Sequence, residues 1–386
     1  MTNTPVQEEA TLRVIDRELT AVLHSKVISG LDAQRALAVA LVLADHYLVT
    51  EHLFGTHLQL GSLGVMIFFV LSGFLITSIL LREHEATGSI CLREFYRRRA
   101  FRIFPAFYCC WMLTTVVDLA VHDFHWQGAL TSFFYMMDYG RAFHGAEPAY
   151  LHMWISWSLA IEEKFYLLWP LLLILLLRKR STVVRTMLLI ILGLWTYRAI
   201  LNLALGVGWI YLYSAFEMRA DSLLAGCLLA ILVGNSKTRL VCCRLLRRQW
   251  LSMLPPLALA CILLFPPANP AFLLLLWSLQ PLIVAAMLLQ TAYWGARSWT
   301  FCRSRMVRVV ALLSYSLYLY HPLGSKIIYF LHVPHNGLAS ALLVPVMAVA
   351  SYRLVERPFM RMRDHYSPHR VKTQKLFPAE TGRGSL

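Results

Sequence analysis

The stretch LDAQRALAVALVLADHY, residues 31–47, sets an arginine and a histidine on an apolar run. On a helix of about 3.6 residues per turn, the step from Arg35 to His46 turns through roughly 1,100°, three turns plus about 20°. Both side chains therefore share one face. At about 1.5 Å per residue, His46 lies roughly 16 Å farther along than Arg35, about half of a hydrocarbon layer some 30 Å thick. If the segment crosses a bilayer, a titratable imidazole stands near its middle with a cation at the rim. Asp45 cannot orient that imidazole, because adjacent helical residues point about 100° apart. The partner of His46 is expected on another element.

Working outward, the 386 residues are 58% hydrophobic and only 15% charged, with a mean hydropathy of +0.57. Such apolar content exceeds that of ordinary soluble domains and predicts an all-α polytopic membrane bundle. Apolar stretches near 20 residues long predict ten spans, at about 36–54, 64–81, 103–121, 153–177, 186–205, 216–234, 249–266, 271–290, 309–331 and 338–355. The connectors alternate sharply in charge. Segments 82–102, 178–185, 237–248 and 297–308 hold 6, 4, 5 and 4 Lys plus Arg, and the ends 1–35 and 353–386 add 4 and 8, so 31 of 36 lie on one side. The opposite connectors contain Arg141 alone. By the positive-inside rule both termini are expected in the cytoplasm. The same asymmetry accounts for the net charge of +15 and argues against a nucleic-acid partner.

The expected organisation is a cytoplasmic N-terminal segment (1–30), a membrane domain (31–360) and a disordered cytoplasmic tail (361–386). Residues 11–28 have mixed helical patterning that suits the inner surface of the bilayer. Glu8, Glu9, Asp16 and Glu18 in the first thirty residues argue against a removable signal peptide, so the first span is expected to act as its own insertion signal. The cysteines fall in apolar runs or basic connectors, which predicts no disulfides. No cysteine or histidine spacing suggests a metal site.

Ionisable groups inside spans are rare and usually functional. Those here are Asp45 and His46, then Glu162, Glu163 and Lys164, Arg198, Glu217, Arg219 and Asp221, and finally His321 and Lys326. The competing expectation for each is a structural pair between helices. At the inner mouth of the third span, REFYRRRAFR (93–102) anchors the loop. It also sets Arg99 and Arg102 on one helix face, where planar guanidinium forks can grip phosphate oxygens.

Six stretches carry a resemblance: GSLGVMIFFVLSGFLITSILL (61–81), FYRRRAFRIFPAFY (95–108), WSLAIEEKFYLLWP (157–170), RADSLLAGCLLA (219–230), SYSLYLYHP (314–322) and SYRLVERPF (351–359). In that order they resemble the successive motifs of acyltransferase family 3, integral-membrane O-acetylases of bacterial surface glycans. The resemblance implies a ten-span domain in the inner membrane. Such a domain moves an acyl group, commonly acetyl, from cytosolic acyl-CoA to a sugar hydroxyl, with no permanently bound cofactor. It matches Arg35 and His46 to the family's arginine and histidine, Arg99 and Arg102 to its Arg-x-x-Arg pair, and Glu162 to the glutamate after Trp-Ser-Leu. Two departures stand out. Met66 occupies a position where members often have aspartate, and LDAQR places Ala33 and Gln34 where glycine and leucine are usual. No appended hydrolase-like extracellular domain is expected, and acceptor recognition is expected within the membrane domain and its outer connectors.

The mechanism expected from these residues has the CoA phosphates held by Arg99 and Arg102, with Arg98 and Arg35 assisting. Neutral His46 takes the proton of the attacking hydroxyl, and an acyl-histidine fits the same residues. Glu162 is expected to orient His46 or bind sugar hydroxyls. Arg219 and Asp221 are expected as acceptor contacts or an interhelical pair, and His321 as an oxyanion donor or a packing residue. Aromatic residues between 126 and 157 suit sugar stacking or the interfacial belt. The rival class is a proton-coupled transporter or flippase of a lipid-linked sugar, with Arg35, His46 and Glu162 as its relay. A membrane sensor or scaffold is a third, and would show no acyl-CoA dependence.

Overall fold

The computed structural model describes residues 5–25, 28–47, 59–265, 269–333 and 336–365. All regular structure among them is helical. In chain order the helices are α1 (Pro5–His24), α2 (Ser29–Tyr47), α3 (Leu60–Thr87), α4 (Leu92–Ala120), α5 (Trp126–Phe133), α6 (Met137–His144), α7 (Ser156–Leu177) and α8 (Val183–Ala199). There follow α9 (Trp209–Ser214), α10 (Phe216–Gly234), α11 (Ser236–Leu246), α12 (Leu254–Leu264), α13 (Pro270–Arg297), α14 (Arg305–Phe330), α15 (Asn336–Ser351) and α16 (Arg357–His365).

Among the described residues, five helices are long and apolar enough to cross a bilayer: Leu60–Thr87, Leu92–Ala120, Val183–Ala204, Pro270–Arg297 and Gly337–Arg363. A sixth arises if Gln7–His24 and Ser29–Tyr47, inclined at 65°, form one broken span. The other expected spans are also helical where described, but differ in kind. α7 carries Glu162, Glu163 and Lys164, α10 carries Glu217, Arg219 and Asp221, and α12 is short. Residues 48–54 of the first expected span and the tail beyond residue 365 lie outside the described residues. Leu168, Leu171 and Leu175 of α7 and Leu188, Leu189 and Leu192 of α8 are exposed. The opposite face of α7 buries Phe165, Trp169 and Leu173. A leucine belt of this kind is unfavourable in water and at home in hydrocarbon. The chain is a multi-pass membrane protein.

Lipid supplies no hydrophobic drive between helices, so close packing must hold them together. At the centre, α3 and α10 meet through glycines. A Cβ on Gly73 would stand 1.9 Å from the Leu223 carbonyl oxygen, and one on Gly226 would stand 2.0 Å from that of Val70. Neither position has room for a side chain. Against α3 lies α2, where the uncommon Gln34 is buried and donates to Thr291 Oγ1 of α13 at 2.6 Å. Met66 is buried among apolar neighbours, so the position where the family often has a carboxylate is here part of the core.

The N-terminal segment is docked on the bundle. Leu12, Ile15 and Leu19 of α1 are buried in a core shared with α11 and α13. Asp16 meets Arg239 at 2.6 Å, Glu8 meets Arg247 at 2.8 Å, and Glu18 accepts from Tyr293 at 2.6 Å. Acidic residues of α1 thus face bases of α11, and the apolar stripe fixes the register.

Candidate active site

The two ends of α2 meet different company. Near its start Arg35 pairs with Asp32 one turn back, at 3.2 Å. Arg35, Arg99 and Arg102 all lie within electrostatic reach of one another and of Tyr166. The three-residue step on α4 puts Arg99 and Arg102 on one face, as their spacing requires. Arg99 stacks its guanidinium over the Tyr166 ring at 4.1 Å, and Arg102 is exposed. Arg98 turns away and meets Glu83 of α3 at 3.1 Å. It braces the mouth of α4 instead of joining the cluster, because adjacent residues on a helix cannot share a face.

Glu162 belongs to this arginine end. It accepts from Ser72 at 3.0 Å and from the Tyr166 hydroxyl at 2.8 Å, while Arg99 and Arg102 act on it through space. No hydrogen bond joins Glu162 to His46 among the described residues. The expectation that Glu162 orients the imidazole is therefore corrected. Its nearest link is Tyr166, one turn along its own helix, a step visible as E-x-x-x-Y in the sequence.

At the far end of α2, His46 is oriented from within its own helix. Nδ1 lies 2.8 Å from the Val42 carbonyl oxygen and donates to it, which in the neutral ring leaves the lone pair on Nε2. An i−4 carbonyl does what the sequence reading assigned to another element. His46 is exposed, and its ring meets His321 edge-on at 4.7 Å and Trp154 at 5.6 Å.

His321 repeats the pattern. Pro322 has no N–H, which leaves the Tyr318 carbonyl without its usual helical donor, and His321 Nδ1 donates to it at 2.5 Å. The buried Nε2 has no hydrogen-bond partner among the described residues. A neutral ring protonated at Nδ1 offers Nε2 as an acceptor, so in that state His321 cannot serve as the expected oxyanion donor. The His-Pro step in SYSLYLYHP was the available signal. Tyr47 binds the His321 carbonyl at 2.8 Å and ties α2 to α14.

The remaining charged candidates divide. Asp221 pairs with Arg198 of α8 at 2.6 Å and accepts from Trp195 at 3.1 Å, a fully buried interhelical clasp. Arg219, two residues earlier, points elsewhere and makes no pair with Asp221. Lys326 binds Asp118 and Asp123, and Asp118 also receives His152 Nδ1 at 2.6 Å, so this group pins α4 to α14. Lys164 reaches Asp138 of α6 at 2.5 Å, yet burial pushes the Asp138 carboxyl above its ordinary range. Two grooves, one lined by Ser62, Leu259 and Trp277 and the other by Phe143, Leu201 and Tyr211, do not include His46.

The arrangement thus has an arginine end suited to polyanionic groups and a histidine end with two imidazole acceptors. A family model described as an acyltransferase domain matches residues 28–354. A peptidoglycan O-acetyltransferase, OatA, of Listeria monocytogenes is 29% identical over 362 residues, which cover 87% of this chain and 56% of that protein. A putative peptidoglycan O-acetyltransferase, YrhL, of Bacillus subtilis is 34% identical over 223 residues, covering 54% and 34%. An O-acetyltransferase, OatA, of Staphylococcus aureus is 33% identical over 233 residues, covering 56% and 36%. The chain thus spans between about a third and just over half of these relatives' length. No solved structure matches it. From a match that takes in α2 through α15 and both ends of the site, the chain belongs to acyltransferase family 3.

Proposed function

We propose that the chain transfers an acyl group, in the first instance acetyl, from acyl-CoA to a sugar hydroxyl. One observation carries this reading. A single helix presents an accessible imidazole acceptor at one end and joins a cluster of three arginines at the other. CoA is long and carries its phosphates at the end opposite its thioester. Arg35, Arg99 and Arg102 would hold the phosphates, with Tyr166 and Glu162 fixing the guanidinium of Arg99. The pantetheine arm would then run along α2 toward His46.

In the reaction the sugar oxygen attacks the thioester carbonyl while His46 Nε2 takes its proton. The tetrahedral intermediate collapses with loss of the CoA thiolate, which receives a proton from the imidazolium, leaving an O-acyl ester and free CoA. The Val42 carbonyl holds the ring in the tautomer this step needs. The basic ends are read as cytoplasmic and the membrane as the bacterial inner membrane, which places the phosphate site on the cytosolic side. Support comes from the relatives' names, which state peptidoglycan O-acetyltransferase for two of them.

The test is label transfer. Membranes holding the full chain are incubated with acetyl-labelled CoA and isolated glycan, and alkali-labile label on sugar is expected. Label confined to CoA and free acetate, with glycan intact, would overturn the proposal in favour of transport or scaffolding.

A further inference from the structure

The histidine end holds two cations that the transfer scheme does not use. Arg141 of α6 places its guanidinium carbon 5.2 Å from the Trp154 ring and 5.6 Å from each of Trp157 and Tyr213. Arg219, at the start of α10, faces the same Tyr213 ring from 5.3 Å. Two like charges on one phenol ring repel each other unless an anion joins them.

Arg219 is only 5% exposed, and its Nε and Nη2 have no hydrogen-bond partner among the described residues. Leaving charged donors buried and unmatched is strongly unfavourable. The neighbouring carboxylates are committed. Asp221 holds Arg198, and Glu217 accepts from Tyr139 at 2.9 Å and Tyr211 at 2.5 Å. Through space Arg219 feels Asp221 and Arg198, whose charges oppose each other. Burial also pulls the Arg141 guanidinium below its ordinary value, the direction a bound anion would reverse. The site adjoins the reacting group, since His46 meets the Trp154 ring that Arg141 covers.

We propose that Arg141 and Arg219 form a subsite for an anionic group, a carboxylate or a phosphate ester, on the sugar whose hydroxyl is acylated at His46. This rests on the acyl-transfer reading above. Guanidinium forks match both groups, and Trp154, Trp157 and Tyr213 offer flat faces to the sugar ring. A neutral sugar would leave Arg219 unmatched, and rejection of a ligand that leaves buried polar groups unpaired is the usual basis of strong discrimination.

The experiment is a calorimetric titration of the full chain in nanodiscs of uncharged lipid. Three sugars serve as probes: N-acetylmuramic acid, N-acetylglucosamine 6-phosphate and neutral N-acetylglucosamine. At least one charged sugar should bind ten-fold or more tighter than the neutral one, and which of the two does so identifies the anion. Arg219→Gln and Arg141→Gln should each remove that preference while acetyl-CoA affinity, a measure of the other end and of folding, is unchanged. Arg141→Gln, on the half-buried α6 side chain, decides the matter if the buried substitution does not fold. Equal affinity for all three sugars, or a preference that survives Arg141→Gln, would overturn the assignment. Failure of the acyl-transfer reading looks different: the charged-sugar preference persists while label from acetyl-CoA reaches no sugar.

Discussion

At His46 the chemistry turns on which ring nitrogen holds the proton. With Nδ1 committed to Val42, Nε2 can accept from a hydroxyl, and His321 presents a second acceptor beside it. His46→Ala should lower acetyl transfer by about 10²–10⁴-fold, the range typical for loss of a general base. Transfer rates from purified wild type and variant check this, and wild-type turnover in the variant would end the base assignment. Arg99→Ala combined with Arg102→Ala should act differently, raising the KM for acetyl-CoA with little change in kcat, because phosphates far from the reacting carbon contribute uniform binding. Steady-state kinetics separate the two cases. The alignment of Arg35 with His46 and of Arg99 with Arg102 was legible as helical spacing. The position of Glu162 among the arginines was not, since α2, α3, α4 and α7 must meet before Ser72 and Tyr166 stand on either side of it.

At the scale of helices, the bundle depends on how closely α3 and α10 approach. The Gly73 and Gly226 contacts leave a side chain nowhere to go but into backbone. Gly226→Leu should therefore force the helices apart and destabilise the fold by about 1–3 kcal/mol, the usual range for overpacking, or more where backbone must move. A lowered Tm in detergent, with no change for a leucine at the open Gly193 of α8, is the expected result. Hydropathy marked the long apolar helices, missed the polar and short ones α5, α6, α9, α11 and α16, and could not tell an apolar helix facing lipid from one facing protein. α8 turns leucines outward, whereas α10 buries most of its length. Hydropathy alone also makes spans of α7 and α10, but three ionisable residues in each set them apart from the five helices that contain an apolar stretch of membrane length.

Across the whole molecule, the basic residues and Arg141 are expected on opposite sides of the bilayer. In a background freed of native cysteines, Glu147→Cys should react with an impermeant maleimide on intact cells, and Lys179→Cys only after permeabilisation. Reaction of both from outside would reverse or break the topology, and with it the placement of the proposed CoA site.

Composition and period determined by themselves that this chain is helical, lies in a membrane, and aligns Arg35 with His46, because hydropathy and helical pitch are properties of neighbouring residues. Only the tertiary structure decided which charge answers which. Asp221 pairs with Arg198, Glu162 with Ser72 and Tyr166, and among the described residues two nitrogens of Arg219 have no hydrogen-bond partner. In a medium of low polarity a buried charge is matched by whatever group the crossing helices bring within about 3 Å, and that is a property of packing between residues far apart in the chain.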